Sequence, residues 1–265
     1  MLVAKLNDDA ILAHRAERGD DYRCPECDDA VILKRGAQRI AHYAHQRDSQ
    51  CAHGLNETMA HLSAKLRLFE HFESRGLAVR TEADLSHLGI RRRADLLVEI
   101  PGGSLVAIEI QHTPILPEEL EQRTRDYLGT GIAVLWLPLT TLSKQAIHWS
   151  GSTGVVERYA ARSHEKWIHD YHRRQLWYYD TATEKLWLGR LDKCMLSREV
   201  RALEPWAGRY VSVATRRVRS KRWQKLTLRG PLELGEIALT AIPAIPLCMF
   251  SFMLPRRPVA GLRRI

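Results

Sequence analysis

The stretch from Arg91 to Tyr127 constrains this chain more than any other. Residues 93–100 and 104–111 are apolar-rich runs joined by Pro101-Gly102-Gly103, a pattern that predicts a β-hairpin with a three-residue loop. If Ile100 and Ser104 close the loop, the antiparallel register puts Asp95 directly opposite Glu109, with Cβ atoms about 5 Å apart. Gln111 shares their face, while Ile108 and Ile110 point the other way. Two carboxylates so close repel unless a cation lies between them, and hard oxygen ligands of this kind suit Mg²⁺ or Mn²⁺. Such a cation can polarise a phosphodiester and activate a water. A pair of edge charges reaching solvent is the simpler alternative, but it does not explain why the strand IEIQ, otherwise suited to burial, carries Glu109 and Gln111.

The flanking segments supply the rest of a core. From Asn56 to Arg75 the pattern is helical, with Met59, Leu62, Leu66 and Phe69 on one face and Gly76 as a stop signal. Glu57, His61 and Lys65 stand at i, i+4 and i+8 on a different face, either a functional stripe or a solvated one. Leu77–Thr81 reads as a strand. A second helix follows with Pro117 early, Glu118 and Glu119 in its first turn and Gly129 past its end; Arg123 and Tyr127 share one of its faces, with Gln122 beside them. GIAVLWLPL at 131–139 is a nearly continuous apolar run, as in a strand covered on both sides. The order is therefore αβββαβ. Downstream, 155–172 reads as a helix and LWYYD-TATE-KLWLGRL as a second hairpin.

Near the N-terminus, Cys24 and Cys27 form a Cys-x2-Cys knuckle, followed by His42, His45 and Cys51. That spacing suits a tetrahedral Zn²⁺ site of sulfur and nitrogen ligands. Five candidates compete for four places. In a strand RIAHYAH, His42 and His45 project to opposite faces, so the preferred set is Cys24, Cys27, His45 and Cys51, with His42 as the substitute. The odd total of five cysteines, clustered with histidines, argues for metal and a reducing compartment over a disulfide framework. MLVAKLNDDA has no signal-peptide apolar core, so the expected location is cytoplasmic, or the inner face of a membrane.

Forty Lys+Arg against 31 Asp+Glu give a net charge of +9, which favours a polyanionic partner. Much of the excess sits in 201–229, with nine basic residues against one acid and Trp206, Tyr210 and Trp223 interleaved. Arg216, Arg217, Arg219, Lys221 and Arg222 can neutralise phosphates, and the aromatics can stack unpaired bases. Single-stranded DNA is the expected partner, with a solvated basic face or an anionic lipid contact as the alternatives. Ile237–Leu254 carries no charge and precedes Arg256-Arg257. It reaches the minimum length of a membrane span, about 18 residues, but Pro243 and Pro246 would kink it; a buried terminal segment or a membrane-surface anchor is the other reading.

RADLLVEI and IEIQ, with CPEC and HYAH upstream and ETMAHLSAK between, resemble the competence protein CoiA family, assigned to the PD-(D/E)XK nuclease superfamily. The resemblance covers the chain to about residue 190. It implies a restriction-endonuclease-like fold in which Asp95 and Glu109 are the acidic pair, the Ile110 carbonyl is a further metal ligand, and Glu57 is an added acid from the first helix. Gln111 then stands where many superfamily members carry a catalytic lysine. Arg123 and Tyr127 resemble the phosphate-contacting helix of RecB-like nucleases, and Lys65 joins them as a DNA contact.

The expected organisation is a zinc-ribbon-like module over 1–55, the nuclease-like core over 56–150, a helix and hairpin extension over 151–200 and a basic, apolar C-terminal region over 201–265. The expected function is Mg²⁺- or Mn²⁺-dependent DNA hydrolysis during competence or recombination, with recombination and competence proteins as further partners. Because a neutral amide can hydrogen-bond or orient water but cannot supply lysine's charge, Gln111 keeps open a non-catalytic DNA-binding accessory role. A membrane-tethered scaffold rests on 237–254 alone.

Overall fold

A computed structural model describes residues 1–37, 39–55, 57–142, 145–203, 210–242 and 259–264. The chain opens with two small hairpins, β1 (Val3–Leu6) with β2 (Asp9–Leu12) and β3 (Val31–Lys34) with β4 (His42–His45). They enclose a small core of Ala4, Ala13, Tyr22, Cys24, Val31 and Tyr43. Next come α1 (Met59–Ser74), β5 (Ala78–Asp84), β6 (Arg93–Ile100), β7 (Ser104–Gln111), α2 (Pro117–Gly129) and β8 (Ala133–Thr140). The remaining elements are β9 (His148–Ser150), β10 (Thr153–Tyr159), α3 (Ser163–Tyr171), β11 (Leu176–Asp180), β12 (Lys185–Leu203), β13 (Tyr210–Leu232), β14 (Ile237–Ile242) and β15 (Val259–Arg264).

The architecture is mixed α/β, with one nine-stranded sheet in the order β5-β6-β7-β8-β11-β12-β13-β10-β9. β6 and β7 pair from Ile100↔Ser104 to Leu96↔Ile108, the register that the Pro-Gly-Gly turn predicts. β7 and β8 run parallel, Val106 opposite Ala133, as the crossover through α2 requires. Strand alternation divides the core between two faces. Leu96, Val98, Val106, Ile108 and Leu135 pack under Ala64, Leu68, Phe69 and Phe72 of α1. Leu97, Ala107, Val134 and Trp136 face Leu120 and Tyr127 of α2 and Ile168 of α3. Both faces are covered, which is why β8 reads as an unbroken apolar run.

Two readings need correction. The buried face of α1 runs through His61, Leu62, Lys65, Leu68, Phe69 and Phe72, so the Glu57–His61–Lys65 stripe turns toward the protein and not to water. Its polar residues find carboxylate partners inside, which a hydrophobicity pattern cannot register. Residues 153–159 form β10 and only 163–171 are helical; in β10, Gly154 and Val156 are buried in alternation, so the period is that of a strand. The expected hairpin is present, β11 pairing with β12 from Leu176↔Gly189 to Asp180↔Lys185, and β12 and β13 are both long. Beyond Gln224 and Lys193, where β13 leaves β10, they continue as a two-stranded arm through Met195↔Arg219 and Arg198↔Arg216.

At the C-terminal end, β14 pairs with β15, and Leu239, Ala260 and Leu262 join the core beneath α1. The stretch considered as a membrane span thus begins as a strand over 237–242, while 243–254 lies outside the described residues. Among those described, no helix is long and apolar enough to cross a membrane.

Candidate active site and metal clusters

The hairpin β6–β7 brings its polar residues to the end of the sheet nearest α1. Regular pairing stops at Leu96↔Ile108, and the Ile110 N–H beyond it donates to Asp95 Oδ2 at 2.9 Å. The same Asp95 oxygen lies 3.1 Å from His61 Nε2, and His61 Nδ1 lies 3.3 Å from Glu57 Oε1. Ligand atoms of Glu57, His61 and Asp95 all fall within 4.8 Å of one another, and could hold a metal ion. Lys65, expected as a DNA contact, is 1% exposed. Its ammonium bonds Glu57 and, at 2.7 Å, Glu82, and stands 3.8 Å from Asp95.

Glu109 takes a different set of partners. One of its carboxylate oxygens accepts from the Arg123 guanidinium and the other from the Tyr127 hydroxyl. Tyr127 is fully buried, whereas the Arg123 side chain keeps 22% exposure. Gln111 donates its amide to the Thr113 carbonyl. Asp95, Glu109, Ile110, Gln111, His112 and Arg123 line a cleft of about 250 Å³, so the acidic pair, the glutamine and the arginine share one opening.

The N-terminal cysteines converge as the spacing predicts. Cys24, Cys27, His45 and Cys51 place their ligand atoms within 4.8 Å of one another, with Cys24 Sγ 4.0 Å from Cys51 Sγ and Cys27 Sγ 3.4 Å from His45 Nε2. The N–H groups of Glu26 and His53 donate to the sulfurs of Cys24 and Cys51. His42 is turned away, its ring 2.9 Å from the Ile40 carbonyl. A thiol and imidazole set of this kind could bind a metal such as zinc.

Two residues at this junction escaped the sequence reading. Glu82 is buried at 7% exposure and sits at φ 51°, a left-handed conformation uncommon for glutamate. It accepts from the N–H groups of Leu2 and Val3 and from Lys65. His53 bridges the clusters, with Nδ1 3.5 Å from Cys24 Sγ and Nε2 3.7 Å from Glu82. Nothing in TEAD signals the φ of Glu82, but His53 stands two residues from Cys51 and proximity could have drawn attention to it.

Comparison with known proteins finds matches to two parts of the chain. A family model described as competence protein CoiA, nuclease-like domain, matches residues 57–200, and one described as competence protein CoiA, N-terminal domain, matches residues 4–54. The chain belongs to the competence protein CoiA family. Competence protein CoiA of Bacillus subtilis (strain 168) is 27% identical over 117 residues, which span 44% of this chain and 31% of that protein. No solved structure matches. In this CoiA-family chain the acidic cleft falls within the nuclease-like match and the thiol cluster within the N-terminal one. Arg216, Arg217, Arg219, Lys221 and Arg222, all exposed on the arm, lie beyond both.

The cleft's electrostatics differ between its two carboxylates. Burial opposes ionisation of Asp95, but the His61 imidazolium, Lys65 and the Ile110 N–H outweigh it and hold the carboxyl below its usual range. Burial pushes Glu109 up to about 7 despite Arg123. His61 is pushed up to about 9, because Asp95 and Glu57 outweigh its burial. A group whose folded pKa is raised stabilises below its unfolded pKa and loses that contribution as pH rises through the folded value. Metal-free protein should therefore lose stability between pH 6.5 and about 9 as His61 discharges, by a few kcal/mol, or several degrees in Tm. Thermal melts across that range should show the decline in wild type and a flatter profile in His61→Gln. An equal decline in both would remove His61 as its source.

Proposed function

We propose that this CoiA-family chain is a metal-dependent DNA nuclease that hydrolyses phosphodiesters during DNA processing or recombination in competence. The observation that carries the proposal is the shared cleft of Asp95, Glu109, Gln111 and Arg123 at the end of the β6–β7 hairpin. The order α1, three strands, α2, β8 supports a restriction-endonuclease-like core. Mg²⁺ or Mn²⁺ would be held by Asp95 and Glu109 with the Ile110 carbonyl, and by Glu57 just ahead of α1. Of these donors, Glu57 and Asp95, together with His61, bring ligand atoms within 4.8 Å of one another, and Glu109 lines the same cleft as Asp95 while bonded to Arg123 and Tyr127; carboxylate oxygens suit such an ion. When bound, such an ion polarises the phosphodiester and lowers the pKa of a water.

The chain's own groups then divide the work. Gln111 orients the attacking water or a phosphate oxygen through its amide. Arg123, partly exposed, neutralises phosphate charge at the mouth of the cleft. Lys65 and Tyr127 are buried and act by fixing carboxylates, Lys65 on Glu57 and Asp95 and Tyr127 on Glu109. The arm contributes phosphate contacts through Arg216, Arg217, Arg219, Lys221 and Arg222. In it Arg198 and Arg216 face each other across the strands, a like-charge pair that costs stability unless an anion lies nearby. A Zn²⁺ ion in the Cys24, Cys27, His45 and Cys51 cluster would be structural, since four protein ligands leave no open position.

Wild type should cleave plasmid or oligonucleotide DNA with Mn²⁺ or Mg²⁺ and not without. Asp95→Asn keeps the side chain's shape and removes its charge, so cleavage should fall by at least the ~100-fold that loss of an outer-shell partner can cost, with DNA binding retained. Gln111→Lys should keep or raise activity. Absence of cleavage by wild type on single-stranded, duplex and branched DNA would reject the nuclease and leave a DNA-binding accessory protein.

Elemental analysis of purified protein should find near-stoichiometric zinc. Cys24→Ser should lose it and lower the melting temperature, because binding energy at such a site is folding energy. Metal-free wild type with an unchanged melt would refute the zinc assignment.

A further inference from the structure

A second and larger concavity, of about 540 Å³, lies beside the acidic cleft. Gln111 and His112 line both, so the two are neighbours. Its walls come from segments far apart in the chain: the start of α1, the end of β8, the β10–α3 connection and Trp223 at the base of the arm. Arg158 and Arg162 line it and are exposed. Neither has an ion-pair partner among the described residues, in contrast to Arg123 in the acidic cleft, which Glu109 holds. Glu165 is in the lining too, but its oxygens accept from the Tyr159 and Tyr178 hydroxyls and from the Arg162 N–H. Trp223 is half-buried, with the Arg222 guanidinium 4.5 Å from its ring centre.

We infer that this concavity holds the single-stranded DNA segment flanking the scissile phosphate, with Arg158 and Arg162 on the phosphates and Trp223 stacked on a base. The inference rests on the nuclease reading for its substrate. Guanidinium groups without a carboxylate partner and an aromatic ring lining one concavity are the elements from which single-strand grooves are built: charge follows the backbone, and the ring accepts any base. Stacking selects the strand state, because Trp223 can take only a base that is not already paired and stacked in a duplex; about 540 Å³ is the size of a small-ligand site and has room for a nucleotide or two. Adjacency at Gln111 and His112 gives direction, because a strand lying along Arg158 and Arg162 has the cleft of Asp95 and Glu109 as its neighbour.

Fluorescence anisotropy with a short labelled oligothymidylate, in buffer lacking Mg²⁺ and Mn²⁺, tests this separately from cleavage. The double variant Arg158→Ala/Arg162→Ala and the variant Trp223→Ala should each weaken single-strand binding by roughly tenfold. Trp223→Phe, which keeps a stacking face, should stay near wild type, and a blunt duplex of equal length should lose little affinity in any variant. Circular dichroism checks that the variants are folded; should Trp223→Ala unfold, the double arginine variant, with strand and duplex compared, decides. Folded variants that bind the oligothymidylate as wild type does would overturn the inference, and so would equal losses for strand and duplex. A wild type that binds through these residues without cleaving would reject the nuclease and leave the single-strand site standing. One that cleaves while the variants bind normally would do the reverse.

Discussion

Lys65 carries a charge into the interior at 1% exposure, and the arrangement of the surrounding elements follows from the need to neutralise it. A buried ammonium without partners is prohibitive, and removing one partner of a buried pair costs about 3–5 kcal/mol. Glu57 just ahead of α1, Glu82 from β5 and Asp95 from β6 converge on it. Three elements are thereby fixed relative to one another by charge as well as by the apolar face of α1. Glu82 extends the network to the N-terminal hairpins through the Leu2 and Val3 N–H groups, and to the thiol cluster through His53. The thiol cluster and the acidic cleft are thus parts of one polar junction.

A second balance governs Glu109. Its strand is buried on both faces, so its carboxylate is tolerated only because Arg123 and Tyr127 reach it from α2. The two acids predicted to face each other across one hairpin are consequently prepared in opposite ways: Asp95 is kept ionised by His61 and Lys65, and Glu109 titrates near neutrality. Environments that push two carboxylates apart are a recurrent property of catalytic sites, although structural ion-pair networks produce shifts as well.

What was legible in the sequence was mostly local. Pro101-Gly102-Gly103 fixes the register of β6 and β7 because a hairpin loop leaves little freedom, and strand parity separates His45 from His42. The inward face of α1 was hidden, since His61 and Lys65 read as polar until their partners, distant in sequence, are placed around them. The left-handed backbone at Glu82 leaves no mark in TEAD. The arm was obscured for a related reason: charges on both faces of a two-stranded ribbon abolish the alternation that marks a half-buried strand. The concavity joining Arg158, Arg162 and Trp223 exists only after β10 and β13 pair, at Val156↔Leu226.

If Asp95 and the acids around it form the proposed divalent-metal site, metal binding reports it with fewer intervening steps than turnover does. Electron paramagnetic resonance can follow free Mn²⁺ during titration of zinc-loaded wild type and Asp95→Asn at pH 7.5. Wild type is expected to take up Mn²⁺ at the acidic cleft, and Asp95→Asn to bind it at least tenfold more weakly while keeping its zinc. Equal Mn²⁺ uptake by the two proteins, or none by wild type, would contradict the assignment of Asp95 as a metal ligand.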